Sequence, residues 1–445
     1  MVPQPVNPPA DGWSLSLRLR DWQTLSTHLF RDDDEHGAVV LAEQVQGLRG
    51  PRLLARRVLL AEDGIDYVPG RYGYRALTAS FVRDCIDLAA SAERVYLAVH
   101  THDGRGRVSF SRTDLASHER GYPALRQITG QTVGAVVLAQ GAAAGDLWLP
   151  DGSRVELAEL VVAGNNLTRL RPHPSKQTPV DGHYDRQSRL FGEAGQAVLT
   201  NMRVAVVGLG GAGSLIVEFL SRLGVGQLTL IDHDLVSEHN LPRLVAAERD
   251  DVGRPKTEIA ARNARRSNPQ IQLNLHQTAV QDSTARTALT QCDWVFLAAD
   301  THAARHWVNQ TVEQHLIPGT QVGVKIAVDG NGHVGTVHTA SRPLVPGEGC
   351  LWCNGLINPT ELAIDMAPVE QQRAARYVED VPAPSVIALN AVAASEAVNH
   401  FMLAATQLHE DDFDTAYTLT LPRTREHQLH TPRRSPDCRW CGNRS

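Results

Sequence analysis

Four of the six cysteines fall into two Cys-x-x-Cys pairs, Cys350 and Cys353 in GCLWC and Cys438 and Cys441 in DCRWCG. At that spacing two thiolates of one tight turn reach one metal, and a pair of pairs supplies the four ligands of a closed tetrahedral Zn²⁺ site. A redox pair would open a helix directly after a strand, and neither pair is placed that way. Structural zinc is the expectation. A second constellation lies in VHTHDGRGRVSFSRTD, where His100 and His102 alternate on one face of a strand end and Ser111 and Asp114 follow one turn apart. Two imidazoles and a carboxylate leave Zn²⁺ one open position for water, which is the coordination of a catalytic site. The bland alternative is a polar strand edge.

The third stretch is AVVGLGGAG, Ala205 to Gly213. A buried strand ending in glycines (Gly208, Gly210, Gly211, Gly213) lets backbone approach phosphate at the N-terminus of the next helix. NAD and ATP both fit that motif, and Asp232, nineteen residues after Gly213, would meet a ribose in either. The following turns separate the two. Asn240, Arg243 and Lys256, in HNLPR and GRPK, set an amide and two cations at the phosphate end, which suits a triphosphate that must release pyrophosphate. Asp300 closes the next strand in FLAAD, where a carboxylate can hold the Mg²⁺ of ATP. It also precedes the helical pattern THAARHWVNQ, where Asp is a common N-cap.

The elements that must position these groups divide at RPHPSKQTPVDG, a polar, proline-rich linker over 171–182. Residues 1–170 alternate short strands such as GAVVLAE and RVYLAVH with the helical ALTASFVRDCIDLAASAE, an α/β domain. Residues 183–445 run strand, helix, strand, helix, strand, which predicts a Rossmann-like parallel sheet with right-handed crossovers. A chain of 445 residues with 42% hydrophobic and 21% charged residues can bury two cores. Its net charge of -6 and lack of a basic patch argue against a nucleic-acid binder. With neither a signal-peptide pattern nor an uninterrupted membrane-length apolar run, a cytoplasmic protein without membrane partners is expected.

The ordered motifs YDRQSRLFG, GLGGAG, LIDHDLVSEHNLPR, GRPK and LAAD resemble the ThiF/MoeB superfamily of ubiquitin-activating-enzyme-like adenylyltransferases. The resemblance implies MgATP-dependent adenylation of the C-terminal glycine of a ubiquitin-like or sulfur-carrier protein, with a conjugating enzyme as a further partner. It implies that Asp232 binds ribose, that Asn240, Arg243 and Lys256 handle phosphates, that Asp300 holds Mg²⁺, and that the four cysteines hold structural zinc. It also implies that Arg186 reaches the triphosphate from a partner subunit, hence a homodimer. Many members carry a thioester-forming cysteine in the crossover after the first Cys pair; residues 355–384 contain none. Cys85 and Cys292 lie elsewhere, and Ser385 reads as an oxyester acceptor or as a plain helix N-cap. The first half resembles the JAB/MPN (JAMM) metalloproteases, whose pattern is a glutamate, then HxH, then SxxD. That likeness implies Glu35 as general base, His100, His102 and Asp114 as zinc ligands, and Ser111 as stabiliser of the oxyanion. Eight residues separate His102 from Ser111, against the usual seven of that pattern. Two rival readings stay open, an NAD-dependent oxidoreductase and a non-catalytic adaptor for a ubiquitin-like protein.

Overall fold

The computed structural model describes residues 6–68, 76–175, 181–368, 370–372 and 384–442. Contacts group these into two compact units. The first takes the described residues up to Ala163 and from Leu167 to Ser175, and the second takes Gly164–Asn166 and those from Asp181 onward. Gly164–Asn166 packs with the second unit although the sequence pattern assigns it to the first half.

The first unit runs β1 (Trp13–Arg18), α1 (Leu19–Leu29), β2 (Gly37–Val45), β3 (Arg52–Leu60), β4 (Tyr67–Val68), β5 (Ala76–Leu77), α2 (Ala79–Ser91), β6 (Val95–Arg105), α3 (Arg112–Thr129), β7 (Val133–Gln140), β8 (Ala142–Trp148), β9 (Arg154–Ala163) and β10 (Leu167–Leu170). The sheet order is β1-β3-β2-β6-β7-β8-β9-β10, and β1 also pairs with β9. The strands therefore close into a ring, which leaves β1 no open edge. The helical pattern ALTASFVRDCIDLAASAE starts later than the apolar run suggests: Ala76 and Leu77 form β5, and Thr78 caps α2 by accepting from Phe81 N.

The second unit runs α4 (Asp185–Asn201), β11 (Arg203–Val207), α5 (Gly211–Arg222), β12 (Gln227–Ile231), α6 (Lys256–Ser267), β13 (Gln272–His276), α7 (Ser283–Leu289), β14 (Trp294–Leu297), α8 (His302–His315), β15 (Gly319–Val328), β16 (Val334–Leu344), α9 (Pro359–Asp365), α10 (Ile387–Ala405), β17 (Tyr417–Leu421) and β18 (Glu426–His430). The order is β13-β12-β11-β14-β15-β16-β17-β18, parallel from β13 to β15 and antiparallel beyond. The strand sequence reverses between β11 and β14, and a doubly wound sheet leaves its binding crevice at the carboxyl ends beside such a switch point. β11 and β14 are almost wholly apolar and buried, as central parallel strands covered on both faces must be. Trp294 and Phe296 of β14 pack edge-on against Phe401 of α10, and all three are fully buried. No described helix is long and apolar enough to cross a membrane.

Candidate nucleotide site and metal centres

The glycine turn follows β11 at the switch point. Gly208 has φ +89, and a Cβ there would lie 2.6 Å from Ala299 N. A Cβ on Gly213 would stand 1.9 Å from Gly208 O, so only glycine permits this packing of helix on strand. Gly210 takes the N-cap position of α5 without a side-chain cap, and the first turn of the helix is left open to an anion. Asp232, buried after β12, accepts from Leu209 N through Oδ2 at 2.6 Å and from Asp234 N through Oδ1 at 2.8 Å. It thus binds the glycine turn to the loop after β12.

Lys256, buried at the start of α6, donates to Asp234 Oδ2 at 2.6 Å. Burial pushes the Asp234 carboxyl up, but the bond from Lys256 outweighs it and holds the group below the usual carboxylate range. Asp234 is not among the residues singled out from the sequence, and its one local signal is the Asp-x-Asp step after Asp232. Arg243 donates to His239 O at 2.6 Å, and its Cδ lies 3.4 Å from where a Gly211 Cβ would be. Asn240 is buried and accepts from Ser237 N through Oδ1 at 3.3 Å.

Asp300 is exposed three residues beyond β14, with no hydrogen bond or ion pair among the described residues. It is not the cap of α8. Thr301 caps that helix, accepting from Ala304 N at 3.2 Å, which leaves the Asp300 carboxylate unused by the fold. Arg305, one turn further on, feels Asp300 and Asp365 electrostatically, while its burial is the larger influence and draws its pKa below the usual guanidinium range. The sequence reading missed Arg305; a cation five residues after Asp300 was the available signal. Arg186 stands exposed in the first turn of α4, and among the described residues nothing ties it to the glycine turn. Ser385 is not the N-cap of α10, a place held by Val386. Its hydroxyl accepts from Asn390 Nδ2 at 3.1 Å, and that amide lies 2.1 Å from where a Gly211 Cβ would be.

The four cysteines, 88 residues apart in sequence across each contact, converge. Cys350 Sγ lies 3.6 Å from Cys438 Sγ and Cys353 Sγ lies 3.5 Å from Cys441 Sγ. Zn–S bonds of about 2.3 Å in a tetrahedron require sulfurs about 3.8 Å apart, so the cluster fits zinc with little adjustment. Hydrogen bonding from Cys350 holds the Cys441 thiol below its ordinary range, and the same bond drives Cys350 upward. Trp440 and Trp352 meet the His306 ring beside the cluster, with centroids 5.5 and 5.8 Å away.

In the first unit, His100 Nε2 and His102 Nε2 are 3.2 Å apart, and Asp114 Oδ2 lies 3.7 and 3.3 Å from them. Ligands about 2.0–2.1 Å from Zn²⁺ in a tetrahedron stand at about this separation, so these three also fit the metal. His102 Nδ1 donates a hydrogen bond to Ser109 O at 3.0 Å, which turns Nε2 toward the site. Burial raises the Asp114 carboxyl, yet hydrogen bonds from His100 and Ser111 hold it below the ordinary carboxylate range. Ser111 is the N-cap of α3: its Oγ accepts from Asp114 N at 3.1 Å while its own N–H donates to Asp114 Oδ2 at 2.8 Å. Its hydroxyl is thus already engaged in the capping box that aims Asp114. Glu35 lies two residues before Gly37, which is paired with His100 in the ladder, so the chain enters β2 beside the histidine pair. The Glu35 side chain makes no hydrogen bond or ion pair among the described residues.

Residues 184–440 match the model of the ThiF family. This chain belongs to that family. The match begins beyond the His100, His102 and Asp114 cluster. The chain is 36% identical over 139 residues to the SAMP-activating enzyme E1 of Haloferax volcanii, covering 30% of this chain and 52% of that protein. It is 30% identical over 262 residues to the molybdopterin-synthase adenylyltransferase of Escherichia coli, covering 58% of this chain and 95% of that one. The chain thus spans about half the length of the first relative and nearly all of the second. Among solved structures, E. coli MccB aligns at 23% identity with a TM-score of 0.47, over 61% of this chain and 74% of that one.

Proposed function

We propose that the second unit adenylates the C-terminal glycine of a ubiquitin-like or sulfur-carrier protein with MgATP. The observation that carries this reading is the convergence at the switch point of one sheet of an uncapped glycine turn, Asp232, Lys256 and Asp300, a carboxylate with no hydrogen bond or ion pair among the described residues. The names of the adenylyltransferase relatives point the same way. A carboxylate is a poor acyl donor because its leaving group would be oxide, and attack on the α-phosphorus with loss of pyrophosphate replaces it with AMP. The backbone of the glycine turn would receive phosphate, Asp232 the ribose, and Arg243 with Asn240 and Lys256 the rest of the phosphate chain. Asp300 would hold Mg²⁺, which supplies charge neutralisation when bound. Arg186 would reach the site of a second copy in a homodimer. Exchange of pyrophosphate into ATP, dependent on a small β-grasp protein ending in glycine, tests the reading. An adaptor shows no exchange, and an oxidoreductase binds NAD in competition with ATP.

The acyl-transfer step should proceed without a thioester on this chain. Cys85 is buried in α2, where burial pushes its thiol up to about 12. Cys292 is buried before β14 with its thiol directed at Ala288 O, and the other four cysteines form the metal cluster. Direct transfer of the acyl group from AMP to a partner's nucleophile is the preferred route, with Ser385 as the alternative acceptor. Mass spectrometry of the chain with MgATP and carrier should show no adduct that thiol reagents remove; such an adduct on any cysteine overturns this assignment.

The first unit we read as a JAB/MPN-type zinc protease that cleaves after the same carrier tail. His100, His102 and Asp114 would hold the metal, which activates water when bound; Glu35 would take the proton from that water and pass it to the leaving amine. His102→Ala is expected to lower the zinc content from about two equivalents to about one. Glu35→Gln should keep both and lose hydrolysis by about 10²–10⁴-fold. Two equivalents in the His102→Ala protein would remove the site.

A further inference from the structure

Two half-buried arginines near Asp300 form no direct ion pair among the described residues, although Asp300 and Asp365 act on Arg305 electrostatically. Arg305 of α8 donates from Nη1 to Leu356 O at 3.0 Å, and its Nε is buried without any hydrogen-bond partner. Arg342 of β16 stands opposite Gln321 of β15, which in turn stands opposite Leu297, the last residue of β14. The register therefore sets Arg342 at the same sheet edge that Asp300 and Arg305 occupy. Its Nη1 donates to Gln321 Oε1 at 2.8 Å, and its guanidinium lies 4.5 Å from the centroid of the Tyr417 ring. Gln321 is buried, so the fork of Arg342 is held in a fixed plane by a neutral amide and a ring, with no counter-charge from either. Burial lowers the Arg342 pKa against an opposing influence from Tyr417, and Arg305 lowers it as well, which places the two cations within electrostatic reach of each other.

Holding two like charges half-withdrawn from water and without a direct ion pair costs free energy, and an arriving anion offsets that cost. We propose that Arg305 and Arg342 form an oxyanion subsite that receives the terminal carboxylate of the carrier tail before it is adenylated. The inference rests on the adenylation reading. Guanidinium forks match planar carboxylates through paired hydrogen bonds. A phosphate, including departing pyrophosphate, offers the same chemistry. The carboxylate is the better match because Arg243 and Lys256 already serve the phosphate end, on the β11–β12 side of the sheet, whereas Arg342 comes from the opposite, antiparallel side. The ionised carboxylate then attacks the α-phosphorus. The bond to the β-phosphate breaks, its electron pair leaves with pyrophosphate, and no proton transfer is needed.

The test uses the full chain and a short synthetic peptide ending in Gly-Gly, as the free acid and as the C-terminal amide, with and without MgATP. The free acid should bind at least about tenfold more tightly than the amide. Arg342→Met should bind both forms alike, with its MgATP affinity within about twofold of wild type. Equal binding of acid and amide by the wild-type chain overturns the subsite, and needs no variant to fold. So does an Arg342→Met protein that still discriminates, or one that loses pyrophosphate binding in place of peptide discrimination. Wild-type protein that fails to bind MgATP while still preferring the acid counts against the adenylation reading and leaves the carboxylate subsite standing.

Discussion

Replacing Asp300 by alanine is expected to cut pyrophosphate exchange by at least about 10²–10³-fold while leaving the melting temperature unchanged. The two halves of that expectation come from the same observation. Asp300 is exposed and makes no hydrogen bond or ion pair among the described residues, so its removal orphans no buried donor, and Thr301 already caps α8. A helix-capping role would produce the opposite pattern, a loss of about 1 kcal/mol in stability with normal exchange. Thr301→Ala serves as the control, since it should lose stability and keep exchange. Full exchange by Asp300→Ala, measured at saturating carrier and MgATP, would withdraw the Mg²⁺ assignment. Arg243→Ala should lose exchange in the same way, because its side chain passes beside Gly211 and among the described residues is bonded only to a backbone carbonyl.

The second large effect is expected at the cysteine cluster. Cys438→Ser should release about one equivalent of zinc per chain and free the C-terminal tail. The tail depends on that junction: Arg433 N donates to Asn354 Oδ1 at 2.8 Å, Arg434 Nε to Gly347 O at 2.9 Å, and Trp440 and Cys441 are buried against the first pair. Without the metal the three remaining sulfurs lose the bonds that draw their segments together, so the segment around Cys350 should loosen as well. Metal analysis and limited proteolysis at the tail check this together. Unchanged zinc content in Cys438→Ser would show that the four sulfurs do not share a metal. Because His100, His102 and Asp114 lie in the other compact unit, their metal content should be unaffected by this substitution.

Much of the candidate chemistry could be read from sequence because it depends on short spacing. A Cys-x-x-Cys turn presents two sulfurs together whatever surrounds it, HxH puts two imidazoles on one strand face, and the glycines of GLGGAG are dictated by backbone clearances within a few residues. The alternation of strand and helix in the second half likewise predicted its parallel sheet, since period and turn residues are local properties. Tertiary structure decided what those groups do to one another. It joined Lys256 to Asp234, two residues too far apart along the chain for any motif to pair, and it gave the cap of α8 to Thr301 and so left Asp300 unused. It spent the Ser111 hydroxyl on aiming Asp114, and through the pairings of β15 with β14 and β16 it set Arg342 level with the end of β14. Spacing along a chain specifies which side chains share a turn or a face. Which cation finds a carboxylate and which is left buried without one depends on strand register and packing between distant segments, and those are set only when the whole sheet assembles.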